Sequence, residues 1–347
     1  MKLSYTPYSL EFKHPFGLAY GTRTTTELVY CKLEAGNFTS YGEAALPPYL
    51  KETQSSVINF LEKARIILEK HTLTSSIEVI MKEIDALAPG NTAAQACVDM
   101  ALYDLKAKAQ NKAVYELLGL NKPVAKDTSV TISIGNLDLI PQKLEELTEY
   151  AILKVKLGNK NDSGIIDCIR RYTAKPLVVD INQGWADKQF ALEMIQWLHV
   201  KQVLYVEQPL AKDAWDDMDW LSERSPIPII ADESMQRLCD MDKVANCFHG
   251  INLKLMKCSG LYEAVKIIDY AKDAGLKINI GCMSESSCGI AAAAQLMTVA
   301  DWIDLDGPLL IKNNPFSGIS FSEGKLHLDS FIGTGASLIN TDITFRE

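Results

Sequence analysis

Two rhythms of apolar and polar residues divide the chain. In the first third, β-rich segments precede helical ones. "ELVYCKLEA" (Glu27–Ala35) and "TSYGEAAL" (Thr39–Leu46) flank a Gly-Asn turn signal. With the opening "KLSYTPYSLEF" they predict a three-stranded meander. "SSVINFLEKARIILEK" (Ser55–Lys70) and "TAAQACVDMALYDLKAKAQ" (Thr92–Gln110) then place apolar residues three and four apart, as helices do. Strands followed by helices predict a separate α+β domain over residues 1–120.

From about residue 127, short apolar runs alternate with helical segments. The candidate strands are "TSVTISI", "AILKVKL", "PLVVDIN", "VLYVEQP", "IPIIADE", "GINLKLM", "KINIGCM" and "DWIDLDG". Polar residues near their C-terminal ends are Lys156, Asp180, Glu207, Asp232, Lys254, Cys282 and Asp304, at intervals of 24, 27, 25, 22, 28 and 22 residues. Such a period leaves room for one strand, one helix and two short loops. Eight such strands are what a (β/α) barrel requires. The expected fold is therefore α/β, a (β/α)7β-type TIM barrel over residues 121–315. A doubly wound open sheet is the alternative, but no G-x-G-x-x-G accompanies the strands. The last segment, 316–347, contains "SGISFSEGKLHL". It is read as a hairpin that returns to the N-terminal domain.

Barrel chemistry sits at the C-terminal ends of the strands. Strand alternation puts Lys154 and Lys156 of "LKVKLG" on one face. Lysine is rarely buried, so this pair marks either a solvated strand face or an active site. Asp180, Glu207 and Asp232 end the next three strands, and Lys254 lies on the strand after those. Each aspartate alone could be a helix cap. Neighbouring strands, however, are about 4.8 Å apart, so three successive carboxylates can converge, and they repel unless a cation holds them. Oxygen ligands of this kind suit Mg²⁺ foremost, with Mn²⁺ the alternative. A metal flanked by lysines suits carbon-acid chemistry. The metal takes a substrate carboxylate, a lysine removes the α-proton, and the enediolate is stabilised. The basic lysine must have a lowered pKa, which Lys154 beside Lys156 and the metal would supply by like-charge repulsion.

Composition narrows the alternatives. Among 347 residues, 47% are hydrophobic and 23% charged, so a sizeable core can form. A net charge of −9 argues against a broad nucleic-acid surface. No run approaches the length of a membrane span, and the N-terminus lacks a secretory apolar core. The eight cysteines form no C-x-x-C pair, which reads as reduced thiols in a cytoplasmic protein. No histidine partner is evident for a nucleophilic cysteine.

The K-x-K pair, the Asp/Glu/Asp set and the lysine two strands beyond Glu207 resemble the enolase superfamily, in its muconate-lactonizing subgroup, over nearly the whole chain. That subgroup includes muconate cycloisomerases, o-succinylbenzoate synthases and dipeptide epimerases. "IDLDGPLL" resembles the D-x-D motif of the dipeptide epimerases, as do "DINQGW" and "NLKLMKCSG". The resemblance implies one Mg²⁺ per subunit on Asp180, Glu207 and Asp232, with Lys156 and Lys254 as bases and Lys154 beside them. It implies that Asp304 and Asp306 bind a dipeptide's α-ammonium. It also implies that Thr131, Cys282, Met283 and Ser284 line the substrate site and that the N-terminal domain caps the barrel. The expected partner is a dipeptide, with neither nucleic acid nor membrane, and homo-oligomerisation is left open.

One position departs from this pattern. Ala-Glu epimerases carry an arginine in the first capping loop for the substrate's Glu side chain. That position falls here on Gly21, with Arg23 two residues later. Phe16, Leu18, Ala19 and Tyr20 of this loop, and Leu46, Tyr49 and Leu50 of the second, are expected to contact substrate. The reading is thus an epimerase favouring apolar dipeptides such as Ala-Val or Ala-Ala. The alternatives are an L-Ala-D/L-Glu epimerase and, in the same subgroup, an o-succinylbenzoate synthase or cycloisomerase. A Schiff-base aldolase using Lys254 and a non-catalytic metal-binding barrel are the readings from other classes.

Overall fold

In the computed structural model, residues 1–18, 21–132, 137–158 and 161–347 are described, without the side chains of 15–18, 21 and 22. The N-terminal unit is an antiparallel meander, β1 (Lys2–Leu18), β2 (Gly21–Ala35) and β3 (Phe38–Ala45), followed by α1 (Gln54–Leu68), α2 (Ile77–Asp85) and α3 (Thr92–Ala109). Thr53 and Ser56 start α1 with a reciprocal capping box. α3 is buried from Thr92 to Ala107. A helix buried on all sides belongs between layers, and α3 runs between the meander and the barrel. The sequence reading does not assign α2. It also treats "HPFGLAYGTRT" as a loop, whereas β1 and β2 pair out to Leu18 and Gly21. The β-branched run Thr24–Thr26 favours this extension. Ala19 and Tyr20 lie outside the described residues, as do the side chains of Phe16 and Leu18.

After α4 (Val114–Leu117) and the short β4 (Lys126–Asp127), eight parallel strands follow in sequence order: β5 (Ser129–Ile132), β6 (Ile152–Lys156), β7 (Leu177–Asp180), β8 (Val203–Glu207), β9 (Ile229–Ala231), β10 (Gly250–Leu253), β11 (Lys277–Gly281) and β12 (Trp302–Asp304). Seven helices alternate with them: α5 (Ile140–Glu146), α6 (Asp162–Arg170), α7 (Lys188–Val200), α8 (Trp215–Ser222), α9 (Met241–Cys247), α10 (Leu261–Asp273) and α11 (Ser287–Ala294). The barrel closes where Thr128 bridges Ile303 and its hydroxyl accepts the Leu305 N–H at 3.0 Å. This is the (β/α)7β arrangement. A one-turn helix, α12 (Gly307–Leu310), ends it.

The last stretch forms β13 (Phe316–Ser317), the hairpin β14 (Ile319–Ser322) and β15 (Lys325–Leu328), and β16 (Ser337–Leu338). The hairpin itself pairs with β4 rather than with the meander. The return to the meander is made elsewhere, by Phe316 against Tyr30 and Tyr41 and by Arg346 bridging Tyr5. Two buried carboxylates stitch cap to barrel. Glu43 of β3 accepts from Ser286 N, Ser286 Oγ and Gly289 N at 2.9, 2.6 and 3.0 Å, capping α11. Asp99 of α3 accepts from Leu261 N and Tyr262 N, at the start of α10. Among the described residues, no helix is long and apolar enough to cross a membrane.

Candidate active site

Register explains the convergence at the barrel mouth. Lys156 pairs with Asp180, and Asp180 with Glu207, across neighbouring strands. Asp232 directly follows β9, and Lys254 directly follows β10, one residue beyond the strand proper. Carboxylate oxygens of Asp180, Glu207 and Asp232 lie within 4.8 Å of one another, and all three residues are buried.

Lysines press on this cluster from two ends. Lys156 Nζ donates to Asp180 Oδ2 at 2.6 Å, and Lys254 Nζ donates to Asp232 Oδ2 at 2.7 Å. Lys154 is fully buried between carboxylates, with Nζ 2.9 Å from Glu207 Oε2, 2.7 Å from Asp304 Oδ2 and 3.3 Å from Asp180 Oδ2. Burial alone would lower the pKa of Lys154, but Asp304, Glu207 and Asp180 hold it well above the ordinary value. Burial likewise opposes the charge of Lys254, and Asp232 overcomes it. Lys154 and Lys254 are thus both held charged by the carboxylates that they face.

The carboxylates divide the opposite way. Burial would raise Asp180, yet Lys156 and Lys154 hold it at about 2. Burial and the neighbouring Asp180 push Glu207 up to about 8. Asp232 stays well below its usual range because Lys254 and Lys257 outweigh its burial. An all-oxygen donor set under this much mutual repulsion fits a hard divalent cation.

Thr131, Cys282, Met283, Ser284, Asp304 and Asp306 line the same cavity of about 100 Å³, together with Arg23, Pro47, Pro48, Tyr49 and Leu310. Thr131 N donates to Asp306 Oδ2 at 2.8 Å. Burial and Asp304 push the Asp306 carboxyl up to about 6. Asp304 is engaged at both oxygens, by Lys154 and by Ser129 Oγ at 2.8 Å. Tyr49 OH reaches Met283 Sδ at 3.0 Å. Leu46 does not line this cavity; it turns into the core. Leu50 packs against the core as well, because the one-turn helix at Pro48–Leu50 swings it away. A larger cleft of about 260 Å³ lies beside the barrel wall near Val130 and Ile132. It lacks the carboxylate cluster, so chemistry rather than size selects the smaller cavity.

Two further residues, which the sequence pattern does not single out, belong to the cluster. Lys257 is fully buried and donates to Asp232 Oδ1 at 2.5 Å, Asp232 O at 2.7 Å and Asn252 O at 2.9 Å. Asn252 Nδ2 donates to Glu207 Oε1 at 2.8 Å. A second lysine three residues after Lys254, in an otherwise apolar run, was the available signal.

Two descriptions match the chain. Residues 141–335 match the enolase C-terminal domain-like family, and residues 5–119 match the mandelate racemase/muconate lactonizing enzyme N-terminal domain. The chain belongs to this family of the enolase superfamily. It is 44% identical over 340 residues to an L-Ala-D/L-Glu epimerase of Bacteroides thetaiotaomicron, covering 98% of this chain and 88% of that protein. It is 35% identical to an L-Ala-D/L-amino acid epimerase of Pedosphaera parvula, covering 95% and 96%. Its fold superposes on the crystal structure of a dipeptide epimerase from Cytophaga hutchinsonii complexed with Mg and the dipeptide D-Ala-L-Val. The TM-score is 0.91 at 25% identity, covering 98% of this chain and 96% of that one.

Proposed function

We propose that this protein is a Mg²⁺-dependent dipeptide epimerase, inverting the Cα of the C-terminal residue by 1,1-proton transfer. The observation that carries the reading is the pair Lys156 and Lys254, which meet one buried carboxylate cluster at its two ends, on Asp180 and on Asp232. Asp180, Glu207 and Asp232 would hold the cation. Bound there, Mg²⁺ would offset the charge that develops on the substrate carboxylate as the proton leaves. Lys156 and Lys254 move the proton, each on one face of Cα. Lys154, enclosed by three anions, keeps its charge and balances the cluster. Asp306 faces the cavity without a cation partner among the described residues and takes the α-ammonium. An o-succinylbenzoate-type substrate has no group to meet it.

Arg23 bears on the side chain at the inverted centre. It lines the cavity, and among the described residues it forms no ion pair and has Thr26 Oγ1, at 3.4 Å, as its hydrogen-bond partner. An acidic side chain would meet this guanidinium, in keeping with the L-Ala-D/L-Glu epimerase relative. Pro47, Pro48, Tyr49 and Leu310 support the second reading, an apolar side chain. The eight cysteines, all free, support a cytoplasmic setting. The test is deuterium incorporation at Cα, read by mass spectrometry over a dipeptide panel in D₂O with added Mg²⁺. Wash-in and epimerisation are expected for L-Ala-L-Xaa substrates. A panel with no exchange would sink the proposal.

A further inference from the structure

Asp232 is fixed at every polar atom, and apart from Lys254 the groups that fix it are not those that would meet substrate. Its Oδ2 faces Lys254, while Lys257 takes Oδ1 and the main-chain carbonyl. Its N–H donates to Gln208 Oε1 at 3.0 Å. Gln208 is fully buried, and all of its hydrogen-bonding capacity is in use. Oε1 also accepts from Ser234 N at 3.0 Å, and Nε2 donates to Leu210 O at 3.1 Å and Ser234 Oγ at 2.8 Å.

The main chain of Gln208 extends the same ties. Its N–H donates to Ile230 O at 3.0 Å, and its carbonyl accepts from Gln183 N at 2.8 Å. Its φ is +39°, a left-handed conformation disfavoured for a residue with a Cβ. Because Gln208 directly follows Glu207, one residue is joined to the strand ends of all three carboxylates. It is covalently next to Glu207, bonded to the backbone of Asp232, and bonded to the loop that follows Asp180.

We propose that Gln208 is a positioning residue of the metal centre, setting the spacing of Asp180, Glu207 and Asp232 and, through Asp232, the place of Lys254. The proposal rests on the metal site argued above. Gln208 is neutral, so removing its amide alters geometry without altering charge. Lys257, a cation on the same carboxylate, could not separate the two effects.

The test uses Mn²⁺ as probe, titrated calorimetrically into metal-free protein, with melting temperatures measured alongside. Gln208→Met should weaken Mn²⁺ binding by about 10- to 100-fold, the range for outer partners of metal ligands. Ser234→Ala, which removes one support of Gln208, should weaken it less and in the same direction. Gln295 is the control. It too is a fully buried, bonded glutamine, accepting from Tyr115 N at 3.0 Å and donating to Thr334 O at 2.9 Å, away from the carboxylates. Gln295→Met should lower the melting temperature and leave Mn²⁺ affinity unchanged. Wild-type affinity in Gln208→Met overturns the inference. If that variant does not fold, wild-type affinity in Ser234→Ala overturns it instead. Absence of Mn²⁺ binding by the wild-type protein would overturn the metal reading itself and this inference with it.

Discussion

Lys154 Nζ stands 2.7 Å from Asp304 Oδ2, joining the second barrel strand to the eighth across the closing seam. Ser129 Oγ, from the first strand, holds the other Asp304 oxygen. Asp304 is thus committed within the protein, and the two aspartates of "DLD" are not equivalent. Asp306→Asn should raise KM for free dipeptides by about tenfold or more, the scale of a lost charge-assisted contact, and much less for N-acetyl dipeptides. Asp304→Asn should lower kcat for both, because Lys154 loses a partner. Steady-state kinetics on the two substrate forms decide it. Identical profiles for the two variants would refute the division.

Removal of the divalent ion should abolish turnover. Chelator-treated protein is expected to lose at least about 10³-fold in kcat, the scale of a deleted oxyanion stabiliser, and to recover on adding Mg²⁺. Full activity after exhaustive chelation would contradict the mechanism.

The two lysines should be separable by handedness. In D₂O, Lys254→Ala should stop epimerisation while permitting Cα exchange from one epimer only, and Lys156→Ala should permit exchange only from the other. Chiral chromatography with mass detection reads this directly. Residual epimerisation of equal size in both variants would rule it out.

Side-chain choice is tested at Arg23. If its guanidinium pairs with an acidic substrate, Arg23→Met should reduce kcat/KM for Ala-Glu by about 10- to 100-fold, since a buried charge without its partner is costly. The same variant should leave Ala-Val within a few-fold. A preference for Ala-Val in the wild-type protein, unmoved by the substitution, would favour the apolar pocket.

Stability should fall from about pH 4 to about pH 8 in the metal-free protein. Burial pushes Asp99 up to about 8 and Glu52, which accepts from Ala93 N and Ala94 N at the start of α3, up to about 7, both above their ordinary carboxylate values. The folded state then binds more protons than the unfolded one between those values, so this stability is fully present below the unfolded pKa. It is lost as pH rises through the folded pKa. Asp99→Asn should flatten the slope of melting temperature against pH over that window. An unchanged slope would show that the carboxyl is ionised throughout.

Much of this molecule can be read from its sequence because parallel strands buried on both faces leave continuous apolar runs, and seven of the eight runs here carry a polar residue near the C-terminal end. All eight strands lie within the runs named from the sequence, and Asp180, Glu207 and Asp232 come together as strand adjacency requires. Periodicity carries no information about which atom a buried polar side chain meets. Gln208 looks like an ordinary strand-end residue until its four side-chain hydrogen bonds are seen. Lys257 looks like half of a solvated pair. The extended β1–β2 arm escaped because Pro15 and Gly17 read locally as a loop, while pairing with Thr22–Thr26 supplies the order.

The caps contributed by Glu43 and Asp99 bear on how such proteins could be rebuilt. The starts of α10 and α11 receive their carboxylates from the other domain, so neither half carries a finished set of helix ends. Exchanging N-terminal domains between relatives, to borrow a new specificity arm, would not be a matter of matching the arm alone. A donor domain lacking acids at these two places would leave Leu261 N and Tyr262 N, after the segment that carries Lys257, and Ser286 N and Gly289 N, after the one that carries Ser284, without these acceptors. The chimera would then lose catalytic order before its borrowed specificity could be expressed.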